Sequence, residues 1–238
     1  MTEVRVALSE EVDRYLGSLV RTGPFANKAE LVRAALVSFA SQAGPMAQGF
    51  DLETCMAPDG RVYQLEYARE ASLRGTPGVG LVYEGGVLLA TPATQAKLTR
   101  GISKIRKMGD HFAFLASGLV ADAHMALLRL REAKPKSTEE ATDALVRFYW
   151  EHCIDRTKRP LGSALLIASA LDNEGRLFYL DPSATLVEHD AVAVGESSES
   201  RMELLEKRYR RGTSREAERL ALEILGRPAK VEIVRVPR

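Results

Sequence analysis

The stretch "GVGLVYEGGVLLAT", residues 78–91, sets two strand-like apolar runs around a Gly-Gly turn. That is a hairpin signature, and it commits the chain to antiparallel pairing. Further runs extend the pattern. "HFAFLASG" (111–118) reads as a strand, while "GLVADAHMALLRLREA" and "TEEATDALVRFYWEHC" carry helical periodicity, with Tyr149 and Trp150 expected in the core. "SALLIASAL" (163–171) and "RLFYLDP" (176–182) form a hairpin around "DNEG". "ESRMELLEKRYR" and "SREAERLALEILG" are two more helices, and "KVEIVRV" closes as a strand. Strands in runs, helices in pairs, then strands again describe antiparallel sheets stacked between helix layers.

Residues 1–43 have a different grammar. In "EVRVAL" Val4, Val6 and Leu8 alternate with Glu3, Arg5 and Ala7, the period of a strand. Ser9 then caps a helix with an apolar stripe of Val12, Tyr15, Leu16, Leu19 and Val20, stopped by "TGP" at 22–24. Asn27 with Glu30 is a capping box opening a second helix, expected to bury Leu31, Ala34, Ala35, Phe39 and either Leu36 or Val37. One short strand leaves half its backbone groups unpaired, which a second copy of the chain would satisfy. Strand, helix, helix over residues 2–42 resembles the ribbon-helix-helix family, whose DNA-binding members lay a two-stranded ribbon in the major groove. On that resemblance the possible DNA contacts are Arg5, with Asn27 and Lys28 at the start of the second helix. Residues 1–43 hold five basic and five acidic side chains. That balance favours a dimerisation device over an operator reader, since DNA binding neutralises several phosphates. The expected organisation is a dimerisation domain at 1–43, a linker at 44–49 and a larger domain at 50–238.

Composition narrows the classes. A formal net charge of +1 gives no global attraction to nucleic acid or membranes. Cys55 and Cys153 form neither a disulfide framework nor a zinc set. His111, His124, His152 and His189 lack ligand spacing, so no metal or other cofactor is expected. No run approaches the ~18 apolar residues of a spanning helix, and "MTEVRVALSEEVDRYL" is no signal peptide, so a cytoplasmic protein is expected. The run "KRYRRGTSR" (207–215) alternates with Glu203, Glu206 and Glu216 and reads as a solvated helical face.

Within residues 49–238, "PDGRVYQLEYAREA", "GVLLA", "SKIRKMGD", "SGLVADAH", "RPLGSALLIA", "LDPSATLVEHDAVAVG" and "LLEKRY" occur in order. Together they resemble an α-type subunit of the 20S proteasome, of the archaeal kind. The resemblance implies an α+β fold, a four-layer αββα sandwich of the Ntn-hydrolase type. The small ribbon-helix-helix domain would precede it. Such subunits assemble in seven-membered rings that cap rings of catalytic β-type subunits. In the catalytic relatives an N-terminal threonine uses its own amine as general base. Thr76, after Gly75, stands at the matching place, and Lys104 in "SKI" matches the lysine that lowers the nucleophile's pKa. The other parts are missing. The aspartate position falls at Pro92, the serine after "AVG" is Glu196, and no Asp-x-x-Ser loop precedes the last strand. A non-catalytic chain is expected, with Thr76 structural.

The resemblance also implies a pocket between neighbouring subunits that takes the C-terminal carboxylate of an ATPase activator, using Lys104, Glu66 and Gly118. A cation suits a carboxylate in a semi-buried pocket. The alternative is that Lys104 only pairs with Glu66 across a subunit contact. The gate motif Tyr-Asp-Arg of the relatives reads Phe50-Asp51-Leu52 here, while Pro58 and Tyr67 of the gate cluster remain. Pairing two by two conflicts with an odd ring, so an even-numbered homo-oligomer or stacked rings are expected, with a β-type subunit and an ATPase activator as possible partners. The alternative function is a DNA-binding regulator that uses the proteasome-like domain to oligomerise.

Overall fold

The computed structural model describes residues 7, 9–42, 52–93, 103–171 and 174–237, for 37–42 the backbone alone. The chain divides into two compact units, Met1–Phe50 and Asp51–Arg238.

In the first unit, helix α1 (Glu10–Thr22) is capped by Ser9, whose Oγ accepts from the Val12 N–H, and carries Glu10, Glu11 and Asp13 in its first turn. That is the sign a helix N-terminus favours. Helix α2 (Lys28–Gln42) opens as the spacing predicts, with Asn27 Oδ1 accepting from the Glu30 N–H at 2.9 Å. The reciprocal bond is shifted by one residue, because Glu30 Oε2 accepts from the Ala26 N–H at 2.8 Å. Burial is where expectation and structure part. Leu31 is buried, but Ala34, Ala35 and Leu36 are exposed, as are Val12 and Tyr15 on α1. Two helices can bury only the line along which they touch, and a third surface is needed to cover the rest. Val37 and Phe39 lie where side chains are not described, and the expected strand at 3–8 lies almost wholly outside the described residues.

The second unit is a four-layer sandwich. Its elements are α3 (Tyr63–Leu73), β1 (Gly78–Tyr83), β2 (Gly86–Pro92), β3 (Ile105–Met108), β4 (Phe112–Gly118), α4 (Val120–Ala133), α5 (Thr138–Ile154) and β5 (Ser163–Ser169). They continue with β6 (Arg176–Leu180), β7 (Leu186–Glu188), β8 (Ala191–Val194), α6 (Ser198–Arg208), α7 (Ser214–Ile224) and β9 (Val231–Pro237). One antiparallel sheet has the order β8-β1-β2-β9, the other β3-β4-β5-β6-β7. Three cores hold the layers together. Val82, Val87 and Leu89 meet Leu115, Leu166 and Leu177 between the sheets. Phe114, Leu165 and Ile167 pack under α4 and α5. Val79, Leu81 and Leu88 pack under α6 and α7.

This layering explains the sequence. All seven residues of β5 are buried, because one face meets the other sheet and the other meets helices. Helix α5 buries Thr138, Ala141, Thr142, Leu145 and Tyr149, the i, i+3, i+4, i+7, i+11 stripe of one helical face. Trp150, expected in the core, is 53% exposed instead. Consecutive helical residues point about 100° apart, so the stripe that buries Tyr149 turns Trp150 outward. The hairpin turn also moves. Tyr83 pairs with Gly86, leaving Glu84-Gly85 as the two-residue loop rather than the Gly-Gly pair.

Local bonds set the helix ends. Ser137 Oγ accepts from the Glu140 N–H at 3.1 Å, and Glu140 Oε2 accepts from the Lys136 N–H at 2.7 Å. Ser137→Ala is therefore expected to cost about 1 kcal/mol, read as a lower urea midpoint at unchanged slope. Asp122, in the first turn of α4, is buried and accepts two bonds from Arg159 at 2.7 and 2.8 Å and one from the Gly162 N–H at 2.8 Å. It ties α4 to the chain that enters β5.

Candidate functional site

Thr76 lies two residues before β1, and Lys104 lies just before β3. The sandwich brings them together, and the Lys104 ammonium donates to Thr76 Oγ1. Burial lowers the Lys104 pKa, and the nearby Glu232 carboxylate offsets part of the effect. Glu232, on β9, also accepts from the Lys104 backbone N–H at 3.1 Å and from the Ser103 hydroxyl. The lysine–threonine contact of a threonine hydrolase is thus built. What such chemistry also requires is a base, and the Thr76 nitrogen is an amide, joined to Gly75. The Gly75 carbonyl accepts from the Glu196 N–H at 2.9 Å. Pro77 follows, its carbonyl accepting from Thr91 Oγ1 at 2.9 Å. Pro92, the place expected to match the aspartate of catalytic relatives, ends β2 opposite Val231 and offers no carboxylate. A threonine-directed covalent inhibitor is expected to leave Thr76 unlabelled, with the intact mass of the full chain unchanged. A labelled fragment beginning at Thr76 would contradict this geometry.

The three residues assigned to activator docking occupy separate places within one chain. Gly118 ends β4 and, with Tyr67, Glu70, Ala71, Arg74 and Leu119, lines a cavity of about 500 Å³ that also reaches Gly75. Lys104 lines another, of about 340 Å³, whose walls include Phe114, Ala116, Val120 and Leu127. Glu66, on α3, is held by Arg61, whose Nε donates to Oε1 at 2.7 Å while a second guanidinium N–H reaches Oε2. Those hydrogen bonds hold the Glu66 carboxyl below its usual range despite some desolvation. Arg61 also lies over the Tyr63 ring, 4.6 Å from its centroid. Sequence reasoning did not single out Arg61, although "PDGR" ends five residues before Glu66. The turn that places it is closed by Gly60 N–H to Ala57 O at 2.8 Å, with Pro58 exposed at its tip. Tyr67 is half-exposed on α3. Phe50 and Asp51 lie outside the described residues.

In the first unit, Lys28 Nζ pairs with Asp13 at 2.6 Å, and Asn27 is committed to capping α2. Arg5 lies outside the described residues. Among the described residues no group of three His, Cys, Asp or Glu side chains could hold a metal ion, and no helix is long and apolar enough to cross a membrane.

The geometry agrees with what comparison to known proteins finds. The family model described as proteasome subunit matches residues 72–232. Proteasome subunit alpha of Methanocaldococcus jannaschii is 41% identical over 169 residues, covering 66% of this chain and 65% of that one. Proteasome subunit alpha of Methanoregula boonei is 39% identical over 168 residues, 66% of this chain and 70% of its own. Proteasome subunit alpha 2 of Haloarcula marismortui is 39% identical over 171 residues, 67% and 70% respectively. The chain thus covers about two thirds of the length of these relatives, and the family match takes in both Thr76 and Lys104. The chain belongs to the proteasome subunit family and is of its archaeal α type.

Proposed function

We propose that this non-catalytic α-type chain is a scaffold or gating subunit of a homo-oligomeric assembly, paired through a ribbon-helix-helix domain at 1–43 and joined by a linker at 44–49 to the sandwich domain at 50–238. The observation that carries the architectural reading is Thr76, which is oriented on Lys104 yet bound through its nitrogen to Gly75. A subunit so built keeps the shape of a hydrolase without its base.

Pairing is supported by the first unit. Helix α1 has no buried residue, and Tyr15 and Leu36 are 63% and 61% exposed. Covering such side chains contributes about 1.5–3 kcal/mol each, and a second copy offers the same surface in return. Paired chains fill an even-numbered particle or two stacked rings. Lys104, Glu66 and Gly118 then form the activator-docking pocket at subunit contacts, with Phe50, Asp51, Pro58 and Tyr67 at the gate. A β-type subunit and an ATPase activator are the partners this arrangement would take.

Electron microscopy of the purified chain tests the reading, and an even subunit count or face-to-face rings are expected. Deleting residues 1–43 should halve the particle or unstack the rings. A monomer, or a particle unchanged by the deletion, would remove the pairing role. Co-expression with a β-type subunit that yields no joint particle would remove the proteolytic partner.

A further inference from the structure

Thirteen residues, 207–219, hold six Lys or Arg against two Glu, in a chain whose formal net charge is only +1. The sequence alone reads this run as a solvated helical face. The structure instead folds it around a cavity of about 480 Å³ at the corner between α6 and α7, lined by Arg208, Arg210, Arg211 and Arg219 together with Glu84, Glu216 and Glu223. The guanidiniums come from the end of α6, from the connecting loop and from the second turn of α7.

The loop that carries Arg210 and Arg211 is pinned. The Tyr209 hydroxyl donates to the Val82 carbonyl at 2.9 Å, and the Tyr209 ring packs on the core beneath α6 and α7. The Glu84 N–H donates to the Gly212 carbonyl at 2.9 Å, fastening the loop to the β1–β2 turn. Thr213 and Glu216 close a capping box directly afterwards. Arginines on a fixed loop lose less freedom on binding than those on a free one.

Four guanidiniums face three carboxylates, and among the described residues only Arg208 has one of these within salt-bridge distance. Glu216 Oε2 accepts from both the N–H and the hydroxyl of Thr213 at 2.8 Å, so it serves the helix start. Glu223 stands 3.8 Å from Arg208, outside hydrogen-bond range. Arg210 donates to the carbonyl of its neighbour Tyr209. Arg210, Arg211 and Arg219 have no carboxylate within salt-bridge distance among the described residues. Guanidiniums are planar multiple donors suited to phosphate oxygens, and several around one cavity exceed what a single monoanion needs.

We infer that this corner binds a polyphosphate chain, either inorganic or the tail of a nucleotide. The proposal is independent of the docking pocket and of the oligomer. The test titrates the full-length protein with tripolyphosphate, ATP, phosphate and sulfate at one fixed ionic strength, reading heat of binding and melting temperature. Tripolyphosphate is expected to bind saturably, and phosphate and sulfate much more weakly. Arg211→Ala with Arg219→Ala should weaken binding about tenfold or more at unchanged circular dichroism, whereas Arg215→Ala, outside the cavity lining, should leave it intact. Saturable ATP binding beside tripolyphosphate identifies the nucleotide tail, and tripolyphosphate alone identifies an inorganic chain. Equal shifts with sulfate, ATP binding without tripolyphosphate, or the double variant binding as tightly as the parent would each overturn the assignment.

Discussion

Gly118→Ala should lower the free energy of unfolding by about 4 kcal/mol. Gly118 is the last residue of β4, has φ +99°, and pairs with Ser163. A methyl group there would collide with the Gly162 carbonyl oxygen and stand 2.8 Å from Ser72 Cα. Both obstacles are backbone. The Gly162 oxygen cannot withdraw, because it accepts from the Leu119 N–H at 2.9 Å. Left-handed backbone costs an L-residue about 1–2 kcal/mol, and forced overpacking about 1–3 more. The comparison is Gly109→Ala, with φ +64° and nothing within 4 Å of the added carbon. That variant should lose only the conformational part, about 1–2 kcal/mol. Equal losses in urea denaturation would show that the crowding at Gly118 is relieved by movement. The same substitution reshapes the 500 Å³ cavity that Gly118 lines.

Asp122→Ala is the second large effect, expected at about 3 kcal/mol. The carboxylate is buried, while the Arg159 side chain is 58% exposed. The two partners are therefore unequal. Removing Asp122 strands the Gly162 N–H in the interior. Removing Arg159 lets water reach much of the space it vacates, so Arg159→Ala should cost less, about 1 kcal/mol. Burial pushes the Asp122 pKa upward, but the hydrogen bonds from Arg159 and Gly162 outweigh it and hold the group below its ordinary value. A carboxyl with a depressed folded pKa contributes stability at pH values above about 4 and loses it as pH falls through the folded pKa. The parent should accordingly lose stability between pH 5 and 2, roughly. The Asp122→Ala variant should show a shallower decline over that window, and parallel profiles would deny Asp122 a role in acid sensitivity.

The long elements were legible because burial on two faces leaves near-continuous apolar runs. "SALLIAS" and "GVGLVY" could hardly be anything but central strands once their fully buried positions are seen. Short edge elements were harder to read. β3 is only "IRKM", with two exposed residues, and β7 is three residues long with two exposed. α3 buries only Tyr63, Ala68 and Ser72, too sparse a stripe to announce a helix. At the site, resemblance matched Lys104 to a lysine of catalytic relatives, but its contact with Thr76 depends on the fold joining residues 28 positions apart. The Asp122–Arg159 pair spans 37 positions and leaves no local trace. Nor does a glycine reveal in sequence that another segment's carbonyl needs the space beside it. The arginine corner is exposed as its sequence suggests, but residues 209–213 form a loop between two helices rather than one helical face. Alternation with glutamates says nothing about which carboxylates are already engaged.

The order β8-β1-β2-β9 places the first-made hairpin between two strands that are synthesised long after it. Gly86 through Pro92 pair with Pro237 through Val231, 139 positions later at the closest pair, Pro92 with Val231. On the ribosome, then, the β1 edge of this hairpin stays open until Ala191–Val194 emerges and the β2 edge until Val231–Pro237 does, each a template for stray pairing in the meantime. A chain stopped just before Val231 would keep the β2 edge bare and become a sticky client for chaperones.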